Sequence, residues 1–170
     1  TKLTACKPVS MEVGLEISDK LSAALDASKM PGCGLAANQI GIDASVCIIR
    51  IPKRDPQGFD YVVETTFINP VLSEFKNPAR VLGEGCLSFP DKRCETLRYK
   101  SCKISDTLQP IGRTLTGLAA IAAQHEADHL SGLTMFDRLV DNLKPNQSCP
   151  CRSGQPFKTC CRPKVGEFRC

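Results

Sequence analysis

The chain has 170 residues, 42% hydrophobic and 24% charged, a composition that fits one hydrophobic core and excludes a disordered or fibrous protein. No stretch approaches the ~20 apolar residues that span a bilayer, and residues 1–30 lack the basic end and apolar centre of a signal peptide, so we expect a cytoplasmic protein without membrane contact. The net charge of +4 is carried entirely by residues 141–170, so electrostatic attraction to nucleic acid is expected only there, and no sequence-specific binding is predicted.

The secondary structure is predicted from hydrophobic periodicity and from turn residues. Apolar residues at helical spacing indicate a first helix, which Pro31 and Gly32 end. β-branched and apolar runs indicate strands, and an alanine-rich segment with Thr116 as N-cap and Gly132 at its end indicates a second helix. In chain order the predicted elements are a helix over 14–29, strands over 45–51, 61–68, 93–104 and 112–115, and a helix over 118–130.

These elements predict an α+β fold in which a small mixed sheet packs around the second helix. We expect one domain over residues 1–142, a linker over 143–148 and a cysteine-rich tail over 149–170. The chain has 11 cysteines, an odd number without an export signal, and five of them lie in the last 22 residues. Metal binding therefore explains the cluster better than a disulfide framework does.

The second helix carries the main signal for function, since His125 and His129 are four residues apart and share one helical face. Both imidazoles can therefore reach one metal ion, and Glu126 can contact a metal-bound water without binding the metal. The alternative is a helix that happens to carry two polar residues. The chain has only two histidines, and both fall in this pattern, which favours the metal site.

A third ligand is needed for a catalytic metal site. Where metzincin proteases supply a third histidine the sequence has Met135, so the third ligand must be a carboxylate or a thiolate. Two further segments contain candidates, the glycine-rich loop of residues 32–39 and Glu84-Gly85-Cys86-Leu87-Ser88. Taken alone, the first could be a plain turn and the second a buried thiol.

Together, in this order, the three segments resemble the signature motifs of peptide deformylases, G-x-G-L-A-A-x-Q, E-G-C-L-S and Q-H-E-x-D-H-L, over residues 9–140. The resemblance implies that one divalent metal is bound by Cys86, His125 and His129. This metal is commonly Fe²⁺ in cells, with Zn²⁺, Ni²⁺ or Co²⁺ as substitutes. The implied substrates are formyl-methionyl nascent peptides, and the products are formate and a free N-terminal methionine.

The resemblance also implies catalytic roles. Glu126 would take a proton from metal-bound water and hand it to the departing amine, while the Gln39 amide and the Leu87 backbone N–H would stabilise the oxyanion. The peptide substrate would add as an extra strand that pairs with the backbones of Gly34 and Gly85. Independently of the resemblance, Asp128 is a candidate to orient a ligand imidazole, although a solvent-facing helical acid is an equal alternative.

Further residues of the resemblance concern the substrate. Cys33, at a position often held by an aliphatic residue, would line the methionine pocket with Leu87, Leu118, Ile121 and Ala122, and Arg93 would lie near the peptide path. For the apolar residues ordinary core packing is the competing interpretation.

The tail contains a second metal candidate, in which a C-x-C pair and a C-C pair offer four thiolates to Zn²⁺: Cys149, Cys151, Cys160 and Cys161. It resembles the zinc motif at the end of the preprotein translocase ATPase, with Arg152 in place of its first glycine. The resemblance suggests contact with the ribosome or a chaperone. The alternative is a disordered or disulfide-linked tail, and Cys170 and the other cysteines are interpreted as buried or spare thiols.

Two rival functions remain at this point. A general metalloprotease would cleave internal peptide bonds. A zinc-ordered adaptor with an inactive site would keep its fold but release no formate, although the presence of Glu126 and Gln39 argues against it.

Overall fold

In the computed structural model, which describes residues 3–169, the first helix is α1 (Met11–Asp26). It begins three residues before the predicted start because the Ser10 side chain caps it, accepting a hydrogen bond from the Val13 backbone N–H at 3.4 Å. It ends three residues before the predicted end, where the Ser28 hydroxyl bonds the Met30 backbone in a turn. No helix within residues 3–169 combines the length and hydropathy needed to cross a membrane.

The first sheet is antiparallel, with strands in the order β1 (Gly34–Ala36), β2 (Val46–Arg54) and β3 (Asp60–Ile68). Alternate residues face opposite sides of a strand. One face packs against α1 through Ile48 and Ile68. The other face contributes Cys47 and Ile49 to a second apolar cluster.

The second sheet is mixed, with the order β6 (Arg113–Thr116), β5 (Phe89–Ser105), β4 (Val71–Cys86) and β7 (Gly166–Arg169). β4, a 16-residue strand, was not among the predicted elements. The reason is that β4 is interrupted by register shifts and contains residues typical of turns, Asn77, Pro78 and Gly83, of which Asn77 and Gly83 have a left-handed backbone. β1 and β7 were also missed, because both are very short.

The second helix, α2 (Gly117–Leu130), lies between the two sheets and matches the predicted helix to within one residue. Ala120 and Ala123 are almost completely buried in the cluster that also contains Ile49 and Ile104. Small side chains on α2 allow both sheets to approach it. The predicted α+β fold class is confirmed.

The tail is packed against the second sheet. Residues 143–148 form turns that bond to the tail, for example from the Lys158 N–H to the Pro145 carbonyl at 2.9 Å. β7 pairs in parallel with residues Ala79–Leu82 of β4, and Cys170 lies outside the described residues. Short 3-10 helices complete the structure: Ala37–Ile40, Met135–Arg138, Val140–Asn142 and Arg162–Lys164.

Gly14 allows α1 to approach β3 closely, since a Cβ at this position would lie 2.6 Å from Cδ1 of the buried Ile68. We predict that Gly14→Val lowers the free energy of unfolding by about 1–3 kcal/mol, because the added methyl groups displace a packed side chain. Urea denaturation followed by circular dichroism measures this loss. Leu15→Val places the same residue type at an exposed neighbour and should change stability by about 0.5 kcal/mol or less. Equal losses in the two variants would contradict the close approach.

Candidate metal centre

The structure brings the three predicted catalytic ligands together. Residues four apart on α2 place the Nε2 atoms of His125 and His129 3.0 Å from each other. The last residue of β4 places the Cys86 Sγ 3.2 Å from the His129 Nε2. The ligand atoms of all three residues lie within 4.8 Å of one another, and all three residues are buried.

The remaining ring nitrogens are bonded to the protein. His125 Nδ1 contacts Glu84 Oε1 at 2.7 Å, and His129 Nδ1 contacts the Leu133 carbonyl at 3.1 Å. Each of these partners can accept a hydrogen bond from the Nδ1–H group, which leaves Nε2 of each ring to bind a metal once it carries no proton. Both Nε2 atoms therefore face a common point beside Cys86 Sγ.

The protonation of the centre favours a thiolate. Burial alone would raise the pKa of Cys86, but hydrogen bonds from His125 and His129 lower it to about 5. Burial alone would lower the pKa of His125, but its contacts with Cys86 and Glu84 raise it to about 10. A thiolate beside two imidazoles is a ligand set suited to zinc or iron.

Glu126 lies beside the centre but is not one of its three ligand residues. Its side chain is buried, burial raises its pKa, and its Oε2 has no hydrogen-bond partner among the described residues. A buried polar atom without a partner is costly, so a missing polar group is expected next to it. Three protein ligands with a free acid beside them fit a catalytic metal that keeps one open position.

Gln39 lies next to the same centre, on the 3-10 helix that follows β1. Its Nε2 donates to Ser88 Oγ at 2.9 Å and lies 3.7 Å from Cys86 Sγ. Its Oε1 accepts from the Ala36 N–H at 2.9 Å, which fixes the orientation of the amide. The amide N–H groups therefore face the thiolate.

The centre opens into a cleft of about 780 Å³. The cleft is lined by every residue predicted to contact substrate: Cys33, Gly34, Gly85, Leu87, Arg93, Leu118, Ile121 and Ala122. A side chain at Gly34 would lie 2.6 Å from Glu126 Oε1, so only glycine fits there. At Gly85 a Cβ would lie 3.0 Å from the Arg93 guanidinium.

A buried ionic network, not predicted from the sequence, lies behind the centre. Arg98 is 2% exposed, and its Nη2 lies 2.6 Å from Glu84 Oε1. Arg98 also pairs with Asp128, and Arg138 bonds the same carboxylate at 2.5 Å. Asp128 is buried and binds two arginines, so it is not a solvent-facing acid. It does not orient an imidazole either, because Glu84 is the carboxylate that contacts the His125 ring. A charged residue between the apolar side chains of Leu97 and Tyr99 was the available signal.

A second cluster is formed by the four tail cysteines, whose sulfur atoms all lie within 4.8 Å of one another. Cys151 Sγ lies 3.5 Å from Cys160 Sγ. Burial alone would raise the pKa of Cys151, but hydrogen bonds with Ser153 and the neighbouring cysteines lower it to about 7. Four convergent sulfurs fit a tetrahedral Zn²⁺ site.

Two family models match the chain. A model described as polypeptide deformylase matches residues 3–145, and a model of the SEC-C motif matches residues 146–163. The chain belongs to the peptide deformylase family. Both resemblances predicted from the sequence motifs are thereby confirmed.

Individual relatives agree with this assignment. The peptide deformylase of Aquifex aeolicus is 42% identical over 112 residues, which cover 64% of this chain and 63% of that protein. That of Thermosynechococcus vestitus is 38% identical over 111 residues, covering 64% of this chain and 57% of that protein. The chain thus spans about three fifths of the length of these curated relatives.

Solved structures of deformylases share the fold. The Met-Ala-Ser-bound class I type b peptide deformylase from Acinetobacter baumannii has a TM-score of 0.66 and 29% identity, covering 81% of this chain and 91% of that chain. The peptide deformylase from Thermotoga maritima has a TM-score of 0.64 and 31% identity, covering 80% of this chain and 88% of that chain.

Glu84→Gln tests the buried network. We predict a loss of about 3–5 kcal/mol in the free energy of unfolding, because the substitution removes one of the two carboxylate charges that pair with the buried Arg98. The affinity for the catalytic metal should fall about 10–100-fold, because the His125 ring loses its orienting carboxylate. Urea denaturation and metal competition with a chelator measure the two effects.

The matched control for Glu84→Gln is Glu95→Gln on β5, which removes an exposed carboxylate paired with Arg80. It should cost no more than about 1 kcal/mol and leave metal affinity unchanged. A Glu84→Gln variant that behaves like this control would show that the network does not support the centre.

Proposed function

We propose that the chain is a metal-dependent hydrolase that removes the N-formyl group from the formyl-methionine of nascent peptides and releases formate. Family membership supports this reaction, and the Acinetobacter relative is described with Met-Ala-Ser bound, a peptide that begins with methionine. The observation that carries the proposal is the buried carboxylate of Glu126, whose Oε2 has no hydrogen-bond partner within residues 3–169, beside three convergent ligand atoms.

Cys86, His125 and His129 would hold one divalent metal, Fe²⁺ in cells, with Zn²⁺, Ni²⁺ or Co²⁺ as substitutes. When bound, the ion would act as a Lewis acid and lower the pKa of a water from ~15.7 to about 7. Thiolate ligation makes the set softer than one of imidazoles and carboxylates alone, which favours Fe²⁺ as an alternative to Zn²⁺.

The proton transfers and the stabilisation of the oxyanion are assigned to residues around the metal. Glu126 accepts a proton from the attacking water and delivers it to the departing amine, since its raised pKa suits both steps. The Gln39 amide and the Leu87 backbone N–H donate to the formyl oxygen as it becomes negatively charged. Because the Gln39 amide is already held by Ala36 and Ser88, it requires little reorganisation in the transition state.

The cleft would bind the substrate as an extended peptide. Gly34 and Gly85 offer backbone groups without side chains, so that a peptide strand can pair with them. Leu118, Ile121 and Ala122 would contact the methionine side chain with Cys33 and Leu87, and Arg93, which also lines the cleft, would lie near the peptide path.

We further propose that residues 1–142 form the catalytic domain, 143–148 the linker and 149–170 a tail ordered by structural Zn²⁺. The protein would work in the cytoplasm, where nascent chains emerge. The tail would contact the ribosome or a chaperone through its exposed cations, Lys158, Arg162 and Lys164. Four thiolates on Zn²⁺ carry a local charge of −2, so this attraction would be moderate and sensitive to salt.

Glu126→Gln tests the catalytic assignment. We predict that formate release from a formyl-Met-Ala peptide falls by about 10²–10⁴-fold, because the amide cannot accept a proton. The metal content should not change, since Glu126 is not among the three ligand residues. Glu16→Gln on the exposed side of α1 is the matched control and should keep full activity.

The same assay separates the rival functions. Anaerobically purified protein should release formate from the formyl peptide and should not cleave casein. Cleavage of casein would instead support a general metalloprotease. Absence of formate release in a fully metal-loaded sample would support an adaptor.

A charge variant tests the role of the tail. Replacing Lys158, Arg162 and Lys164 by alanine should reduce co-sedimentation with ribosomes at low salt, because exposed cations are lost while the cysteines remain. Replacing the exposed Lys20, Lys29 and Lys53 by alanine removes the same charge from the body and should have little effect. Equal binding by both variants would exclude the tail as the contact.

A further inference from the structure

Strand β5 lies between the two cysteine-containing centres. The side chains of Leu97 and Tyr99 pack against Phe157 and Cys161 of the tail. Arg98, between them, points to the other side of the strand and binds Glu84. One short segment of β5 therefore contacts the tail with one face and supports the catalytic centre with the other.

Within this segment of β5, Tyr99 contacts both the tail and α2. Its hydroxyl donates to Cys161 Sγ at 3.7 Å. Its backbone N–H donates to Gln124 Oε1 at 3.0 Å, and its carbonyl accepts from Gln124 Nε2 at 2.7 Å. Gln124 immediately precedes His125 on α2, so a shift of Tyr99 acts directly on the helical turn that carries a metal ligand.

Other contacts hold the tail in place. β7 is hydrogen-bonded to β4 at residues Ala79–Leu82, two residues before Glu84. Arg152 donates to the Leu72 carbonyl at 3.2 Å, and its guanidinium lies 5.4 Å from the centroid of the Phe75 ring. Arg152 has a left-handed backbone (φ 64°) at a position where the related zinc motif has glycine. A non-glycine residue in this conformation is strained, and here its side chain reaches across to the catalytic domain.

Apolar packing by this tail is limited, because only two of its described side chains other than cysteine, Phe157 and Val165, belong to an apolar cluster. The four-cysteine cluster is therefore expected to contribute to its order beside the contacts of β7 and Arg152. We propose that metal binding by the tail cysteines holds β5 against α2, and that Tyr99 is the positioning residue that transmits the state of the tail to His125. The proposal rests on the proposed function only in treating Cys86, His125 and His129 as the catalytic metal ligands.

Histidine-ring NMR spectroscopy can test this coupling directly. The chain has only two histidines and both belong to the catalytic centre, so ring signals report on that centre alone. Full-length protein labelled with ¹⁵N-histidine and loaded with Zn²⁺ gives the rate at which the His125 Nδ1 proton, held by Glu84, exchanges with water. Metal analysis of the same samples counts the ions per chain.

Three variants are compared with the unchanged chain. Cys160→Ser should lose one of two metal ions and raise the exchange rate about tenfold, equivalent to about 1.4 kcal/mol. Tyr99→Phe should retain both ions and raise the rate about threefold, because only the hydroxyl contact with Cys161 is lost. Tyr61→Phe, the same substitution at an exposed tyrosine of β3 outside both clusters, should leave the rate unchanged.

The outcomes separate this proposal from the proposed function. An unchanged exchange rate in a Cys160→Ser sample that has lost its tail metal would overturn the coupling. If Cys160→Ser does not fold, an unchanged exchange rate in Tyr99→Phe would overturn the coupling. If the exchange rate rises in Cys160→Ser but not in Tyr99→Phe, the role of Tyr99 is overturned. Formate release by the unchanged chain is measured separately. Its absence contradicts only the assigned reaction, and full release with unchanged exchange rates contradicts only the coupling.

Discussion

The carboxylate of Glu84 lies where β4, β5 and α2 meet, and the geometry of the centre depends on it. It binds the buried guanidinium of Arg98 and the His125 ring at the same time. Burying such charges costs several kcal/mol per ion unless they are paired and hydrogen-bonded. Burial alone would raise the pKa of Glu84, but Arg98 and His125 lower it well below its ordinary value, so the carboxylate remains ionised and can fix the ring.

This arrangement explains why the ligands converge although they come from different elements. The helical repeat alone places His125 beside His129, but Cys86 lies 43 residues from His129 along the chain. β4 must end at a defined distance from α2, and the ionic bonds from Arg98 to Glu84 and Asp128 set that distance. The hydrogen bonds of Gln124 to the Tyr99 backbone add a second connection between β5 and α2.

Much of the site could be predicted from the sequence because its signals are local. The spacing of His125 and His129 needs only the helical repeat, and the two tail cysteine pairs need only a turn between them. Strand β4 could not be predicted, because its bulges place glycine, proline and asparagine where a regular strand would exclude them. The pairing of Arg98 with Asp128 and the packing of Tyr99 on the tail join residues 30 and 62 positions apart, and no local pattern specifies such contacts.

The central claim is that one thiolate and two imidazoles bind the same ion. X-ray absorption spectroscopy at the edge of the zinc retained by the Cys160→Ser variant tests it, because this variant lacks a complete tail site. We expect one sulfur at about 2.3 Å and two imidazole nitrogens at about 2.0–2.1 Å from the metal. A spectrum without sulfur, or a variant that retains no metal, would contradict the account.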